Sequence, residues 1–170
     1  MCCQVFFCGI ISIKTDAGSD MLPRAPNLPP LPLAIILTFL AVALSKFHQL
    51  SYSVHFLFPL LLCLLGCVSA GWALMQFRRQ KTSVHPMNFD NNNSLIISGV
   101  FRVTRNPIYL GMLLVLAGFA VYLGDVLALI SPLVFFLWIN YWQIAVEEVH
   151  LRSHFGAAYN NYCDKVRRWL

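Results

Sequence analysis

Two short stretches of this 170-residue chain hold most of the side chains able to do polar chemistry. The first is Arg102-Val103-Thr104-Arg105-Asn106-Pro107-Ile108-Tyr109-Leu110-Gly111; the second is Glu147-Glu148, followed by His150, His154, Tyr159, Tyr162, Cys163 and Arg167-Arg168. In the first, Asn106 suits a helix N-cap and Pro107 the first helical position, so a helix is expected to start there with free backbone N–H groups and a positive dipole end. Arg102 and Arg105 beside that end would make a site for a carboxylate or phosphate. The same arginines could instead anchor the helix at anionic headgroups. Gly111, one turn further on, permits close approach of a ligand or of another helix.

In the second stretch, two adjacent carboxylates close an apolar run, where acids are costly unless hydrated, protonated or paired. Neighbours on a helix point about 100° apart, so one of Glu147 and Glu148 can face the interior while the other faces water or a basic partner. Downstream, Leu151, Phe155, Tyr159, Tyr162, Val166 and Trp169 recur at helical intervals. They predict an amphipathic helix lying along a membrane surface, with Arg167, Arg168 and Trp169 at headgroup level. Alternatively its apolar face folds over the bundle, with Gly156 as the place to bend. His150 and His154 share a helical face but lack a third ligand, which argues against a metal site. Cys163 has only Lys165 near it and no base, which argues against a nucleophile.

The elements that must carry these residues are apolar. Hydrophobic residues make up 58% of the chain and charged residues 11%, with a mean hydropathy of +0.67, which excludes an ordinary soluble domain and a disordered chain alike. The +5 formal charge does not indicate nucleic acid, because the basic residues flank long apolar runs instead of lining one solvated face. Cys2, Cys3, Cys8, Cys63, Cys67 and Cys163 form neither a disulfide framework nor a zinc pattern.

The expected fold is all-α: a polytopic membrane protein with spans near 31–47, 56–77, 108–123 and 126–146, the last two a tight hairpin about Gly124-Asp125. A loop at 78–107 and the segment 147–170 complete a single domain over 21–170. Arg78, Arg79, Lys81, Arg102 and Arg105 fill the middle loop, and Arg152, Lys165, Arg167 and Arg168 the tail, so loop and both termini are expected to be cytoplasmic. Residues 1–20 fit no span and are expected to be an extension or a misassigned start, with Met21 the natural beginning. Gly66 and Ala70 on the second span could pack within one chain or between two.

Together, Arg105-Asn106-Pro107-Ile108-Tyr109-Leu110-Gly111, the later Glu147-Glu148, then Phe155-Gly156, Tyr159, Tyr162 and the closing Arg167-Arg168-Trp169-Leu170 resemble the isoprenylcysteine carboxyl methyltransferase and phospholipid methyltransferase superfamily of membrane enzymes. His85-Pro86 and Ser98-Gly99-Val100-Phe101-Arg102 look like its bacterial members, so a bacterial inner membrane is the expected location. The resemblance covers roughly Phe77 to Leu170. It implies transfer of a methyl group from S-adenosylmethionine, and the chain carries no G-x-G-x-x-G dinucleotide fingerprint. By match, Pro107, Tyr109, Gly111, Glu147, Glu148, Tyr159, Tyr162 and Arg168 would form the cofactor site, with the glutamates at the cofactor's positive end. The eukaryotic prenylcysteine enzymes carry His where this chain has Asn106, so the acceptor is not carried over.

On this reading the expected catalytic residues are Arg105, Glu148 and Arg102. A carboxylate acceptor is ionised near neutral pH and needs an arginine to position it. An amine would need a base, with Glu148, His150 or His154 nearest; a small thiol is the third possibility. The expected partners are S-adenosylmethionine, a lipophilic or small methyl acceptor and the lipid bilayer, without nucleic acid or metal. The competing reading is a non-catalytic accessory or lipid-binding protein that keeps the fold.

Overall fold

A computed structural model describes residues 28–47, 52–82 and 95–170. The expectations for residues 1–20 and for His85-Pro86 fall outside the described residues, as does the side chain of Lys81, expected as a flanking charge. The elements run α1 Pro30–Phe47, α2 Leu57–Thr82, a 3₁₀ turn Gly99–Arg102 and α3 Pro107–Leu123. A second 3₁₀ turn, Leu127–Leu129, leads into α4 Ile130–Trp138, a π turn Ile139–Gln143, α5 Ile144–Phe155 and α6 Ala157–Lys165. The described residues are mainly helical, with no strands.

Two of the helical stretches among the described residues, Leu57–Arg79 and Leu127–Phe155, are long and apolar enough to cross a membrane. The apolar helices Pro30–Lys46 and Pro107–Leu123 are shorter. Along α2, Leu57, Leu61, Leu64, Leu65, Val68 and Trp72 are exposed, the reverse of what a helix surrounded by water presents.

The last long helix departs from the expected boundary. It does not stop at Val146 but carries Glu147 and Glu148 through to Phe155, so both acids sit within a regular rod. The predicted amphipathic helix is also cut in two at Gly156, whose φ of +51° is a conformation most L residues avoid. The chain turns there, and α6 folds back so that Tyr159, Tyr162 and Val166 pack with Leu151, Phe155 and Leu95. Of the two sequence readings, the fold takes the one in which this face covers the bundle.

The main core joins Leu33 and Leu37 of α1, Tyr109 and Leu116 of α3, Phe135, Ile139 and Ile144. Further along, Ala41, Ala120 and Ala128 let three elements come close. The α2–α3 contact is the closest crossing. A Cβ on Gly66 would stand 2.5 Å from the Gly111 carbonyl oxygen, and one on Gly111 would stand 2.6 Å from the Gly66 carbonyl oxygen. Nearby, Ser69 donates to the Pro107 carbonyl at 2.9 Å. The Gly66–Ala70 face is therefore an intrachain packing face, and Gly111 belongs to it.

Overpacking a tight interface costs about 1–3 kcal/mol where side chains can yield, and more where backbone opposes backbone. Gly111→Leu should accordingly lower the melting temperature of the detergent-purified protein sharply. Gly71→Ala, where a Cβ meets nothing within 4 Å, should leave it unchanged or slightly raised. Equal melting of both variants would contradict this crossing.

Candidate active site

The site is assembled by three segments that meet beyond the ends of α2 and α3. After the first 3₁₀ turn, Phe101 points inward against Phe77, edge-on at 5.4 Å between ring centres, and Thr104 and Asn106 are buried. After α6 the chain becomes extended at Val166 and runs back across residues 104–106. There the Arg105 N–H donates to the Arg167 carbonyl at 3.1 Å. The Asn106 side-chain amide and the Thr104 hydroxyl both donate to the Arg168 carbonyl, at 3.0 and 3.3 Å.

This tail delivers Arg168 to Glu148. Its Nε and Nη2 reach the two carboxylate oxygens at 3.0 and 2.7 Å, the bidentate geometry in which such pairs are strongest. Arg105 adds a second cation, with Nη1 3.2 Å from Glu148 Oε1. The hydrogen bond to Glu148 raises the already high pKa of Arg168, so Arg168 stays charged. Asn140, in the π turn, accepts from Arg168 Nη1 and from the Trp169 indole N–H, each at 3.1 Å.

Glu147 has a different setting. It accepts from the Tyr109 hydroxyl at 2.5 Å and from the Gln143 amide at 2.8 Å, and neither donor is charged. Both glutamates are buried, at 4% and 8% exposure; of the two settings expected for the second acid, water or a basic partner, Glu148 has the basic partner. Their difference lies in their partners: two guanidinium groups for Glu148, neutral groups for Glu147.

An open cavity, whose free space of about 540 Å³ includes solvent at its mouth, lies in front of these groups. Arg105, Asn106, Glu147 and Glu148 supply its polar wall; Phe77, Phe101, Ile144, Leu151, Phe155, Tyr159 and Tyr162 supply most of the rest. A second, of about 270 Å³, adjoins it and shares Phe77, Phe101, Arg105, Asn106 and Glu147, adding Pro107, Ile108 and Tyr109. Tyr162 donates to the Phe101 carbonyl at 2.6 Å, which ties α6 over the opening. Burial pushes the Tyr159 phenol well above its usual range, and the charge of Glu148 adds to this, so Tyr159 stays neutral. The Nε–H of Arg105 is buried and has no acceptor.

Most of the residues singled out in the sequence converge here. Arg105, Glu147, Glu148, Tyr159 and Tyr162 line the larger cavity, Pro107 and Tyr109 line the smaller, and Arg168 stands behind Glu148. Three expectations are corrected. Arg102 is exposed and lines neither cavity, because the 3₁₀ turn directs Phe101 inward and its neighbour outward. Gly111 packs on α2 instead of facing the cavities. Asn106 precedes α3, with Pro107 at the first turn as expected, but its side chain makes no capping bond; it holds the tail.

The end of the tail packs inward: Arg168 is paired with Glu148, and the Trp169 ring packs on Phe136 at 5.1 Å. His150 and His154 are exposed and line neither cavity. Among the described residues no group of three His, Cys, Asp or Glu could hold a metal ion. Asn140 and Gln143 were missed in the sequence reading, although amides inside an apolar run are themselves a signal.

A sequence model of the phospholipid methyltransferase family matches residues 54–158, from the approach to α2 into the first turn of α6. An uncharacterized protein of Haemophilus influenzae is 48% identical over 62 residues, 36% of this chain and 98% of that one. A probable protein-S-isoprenylcysteine O-methyltransferase of Oryza sativa subsp. indica is 31% identical over 112 residues, 65% of this chain and 58% of the rice protein. Protein-S-isoprenylcysteine O-methyltransferase A of Arabidopsis thaliana is 28% identical over 110 residues, 64% of this chain and 55% of its own. The chain thus spans somewhat over half the length of these plant relatives. No solved structure matches it.

Removing one partner of a buried ion pair strands the other charge and costs about 3–5 kcal/mol, here toward the lower figure because Arg168 is about a third exposed. Glu148→Gln should therefore lower the melting temperature much more than Glu147→Gln, whose partners are neutral. Equal losses in the two variants would show that the ion pairs do not hold the tail.

Proposed function

The chain belongs to the phospholipid methyltransferase family, and from that membership we propose that it is an integral membrane methyltransferase using S-adenosylmethionine as donor. The observation that carries the reading is Glu147: a buried acid, lining both cavities, whose hydrogen-bond partners are all neutral. A buried carboxylate in that setting is stabilised by a cation, and the donor is cationic at its sulfur and at its amino group.

The residues present fit the cofactor. Glu147 would take its positive end, the orphan Nε–H of Arg105 can donate to its carboxylate, and Phe101, Phe155, Tyr159 and Tyr162 offer apolar and aromatic surface for its purine. When bound, S-adenosylmethionine supplies a methyl group on a positively charged sulfur, open to in-line attack. The chain's own work is to orient and to exclude water. Glu148, held by two arginines, fixes the wall on which Arg105 stands, and the neutral phenols of Tyr159 and Tyr162 close the side toward the tail.

The smaller cavity is assigned to the acceptor, beside Glu147 and Arg105. With Glu147 assigned to the donor's positive end, the remaining bases argue against an amine: His150 and His154 are exposed, Glu148 is occupied by arginines, and Tyr159 does not ionise near neutral pH. A carboxylate or a thiol, either of which ionises without an enzymic base of high pKa, suits the site better. The plant relatives, named as O-methyltransferases, agree with a carboxylate.

In the membrane we assign four crossings: α1, α2, α3 and the α4–α5 rod, with the last two as a hairpin about Gly124. At 1.5 Å per residue the 18 residues of α1 and 17 of α3 reach about 26 Å, enough for most of a hydrocarbon core. Arg78, Arg79, Arg102, Arg105 and the basic tail lie toward the cavity end, so that end and both termini are cytoplasmic by the positive-inside rule, in a bacterial inner membrane. Residues 21–170 act as one domain, and a lipophilic acceptor enters between helices from the bilayer.

Isothermal titration of the detergent-purified protein should detect S-adenosylmethionine and S-adenosylhomocysteine. Glu147→Gln should weaken both at least about tenfold, roughly 1.4 kcal/mol, at a melting temperature close to that of the parent. Folded protein that binds neither compound, in detergent and in bilayers, would overturn the reading.

A further inference from the structure

The α4–α5 rod is interrupted at Ile139–Gln143 by a π turn, and such turns inside long helices need a reason. A π turn holds one residue more than an α turn, so everything beyond it lags by one residue's rotation, about 100°. Asn140 and Glu148 are eight positions apart. In an unbroken α-helix that spacing would leave them about 80° apart in direction. With one residue absorbed they stand seven apart in effect, two turns and within about 20° of one another.

That alignment lets one guanidinium bridge both: Arg168 holds Glu148 through Nε and Nη2 and Asn140 through Nη1. The same Asn140 oxygen accepts from Trp169, so a single amide fixes two consecutive residues of the tail. We propose that Asn140, presented by the π turn, is a positioning residue: it docks the tail, and through Arg168 it sets Glu148 and the cavity wall. This rests on the methyltransferase reading for its consequence on cofactor binding, but the docking of the tail does not.

The test compares Asn140→Ala with Asn140→Asp, which keeps an acceptor for Arg168 and Trp169, and uses two readouts. The first is limited trypsinolysis after Arg167 and Arg168, followed by intact mass. Cleavage should be at least about tenfold faster in Asn140→Ala and near the parent rate in Asn140→Asp, with global melting little changed in either. The second is titration with S-adenosylmethionine, where the dissociation constant should rise about tenfold in Asn140→Ala and recover in Asn140→Asp. Deleting Tyr141, an exposed residue of the turn, should leave Asn140 and Glu148 seven apart on a regular helix and so keep the tail docked, as should Tyr141→Ala. If the deletion variant does not fold, the point variants carry the test.

A tail that stays protected in Asn140→Ala overturns the proposal. So does a released tail with unchanged cofactor affinity. A parent protein that binds no S-adenosylmethionine instead overturns the methyltransferase reading, and the docking role is then decided by the proteolysis alone.

Discussion

The carboxylate of Glu148 is the point on which this architecture turns. A buried acid between two arginines is favourable only if both cations arrive with good geometry, since each charge loses its hydration on the way in. The arginines come from segments far apart in sequence, Arg105 from the loop before α3 and Arg168 from the last residues of the chain. Satisfying that one group therefore fixes the loop, the rod and the tail relative to one another. The backbone bonds between residues 104–106 and 167–168 follow the same path and spread the constraint over the whole back wall.

Once Glu148 is saturated, its neighbour is released for a different task. Adjacent positions on a helix differ by about 100° in direction, so Glu147 looks toward α3, where Tyr109 donates to it, with Gln143 of the π turn as its second, also neutral, donor. One acid is a structural counter-ion and the other, on the function proposed above, a binding group, and the distinction comes from surroundings, not from chemistry. The two cavities meet at Glu147 and Arg105, so that the proposed donor and acceptor would share a wall of opposite charges.

Much of this was legible in the sequence, and the remainder for physical reasons was not. Helix starts and apolar spans are local properties, so Pro107 at the head of α3, the bounds of α1 and the start of α2 could be read to within a residue, whereas α2 continues past the expected end at 77 to Thr82. The glutamates and Tyr159 and Tyr162 stood out because acids at the end of an apolar run and aromatics at helical intervals are costly or patterned. Arg102 was misjudged because a 3₁₀ turn reverses which of two neighbours points inward, and nothing in residue type marks that. Gly111 was ambiguous because a small residue serves a ligand and a helix crossing equally well; only Gly66, lying opposite, decides it. The tail read as a continuous amphipathic helix because its period survives Gly156. Its last turn is given up for bonds to residues 62 to 64 positions earlier, which no local pattern records. The π turn was invisible for the same reason, since its cause is the distant Arg168.

The central claim is that the cavity in front of Glu147 receives the methyl donor, and an experimental structure of the protein with S-adenosylhomocysteine in a lipid nanodisc tests it most directly. The account predicts the ligand in the larger cavity, its amino group within about 4 Å of the Glu147 carboxylate and the Glu148–Arg105–Arg168 contacts intact. A ligand bound elsewhere, or one seated on Glu148 with its arginines displaced, would contradict it.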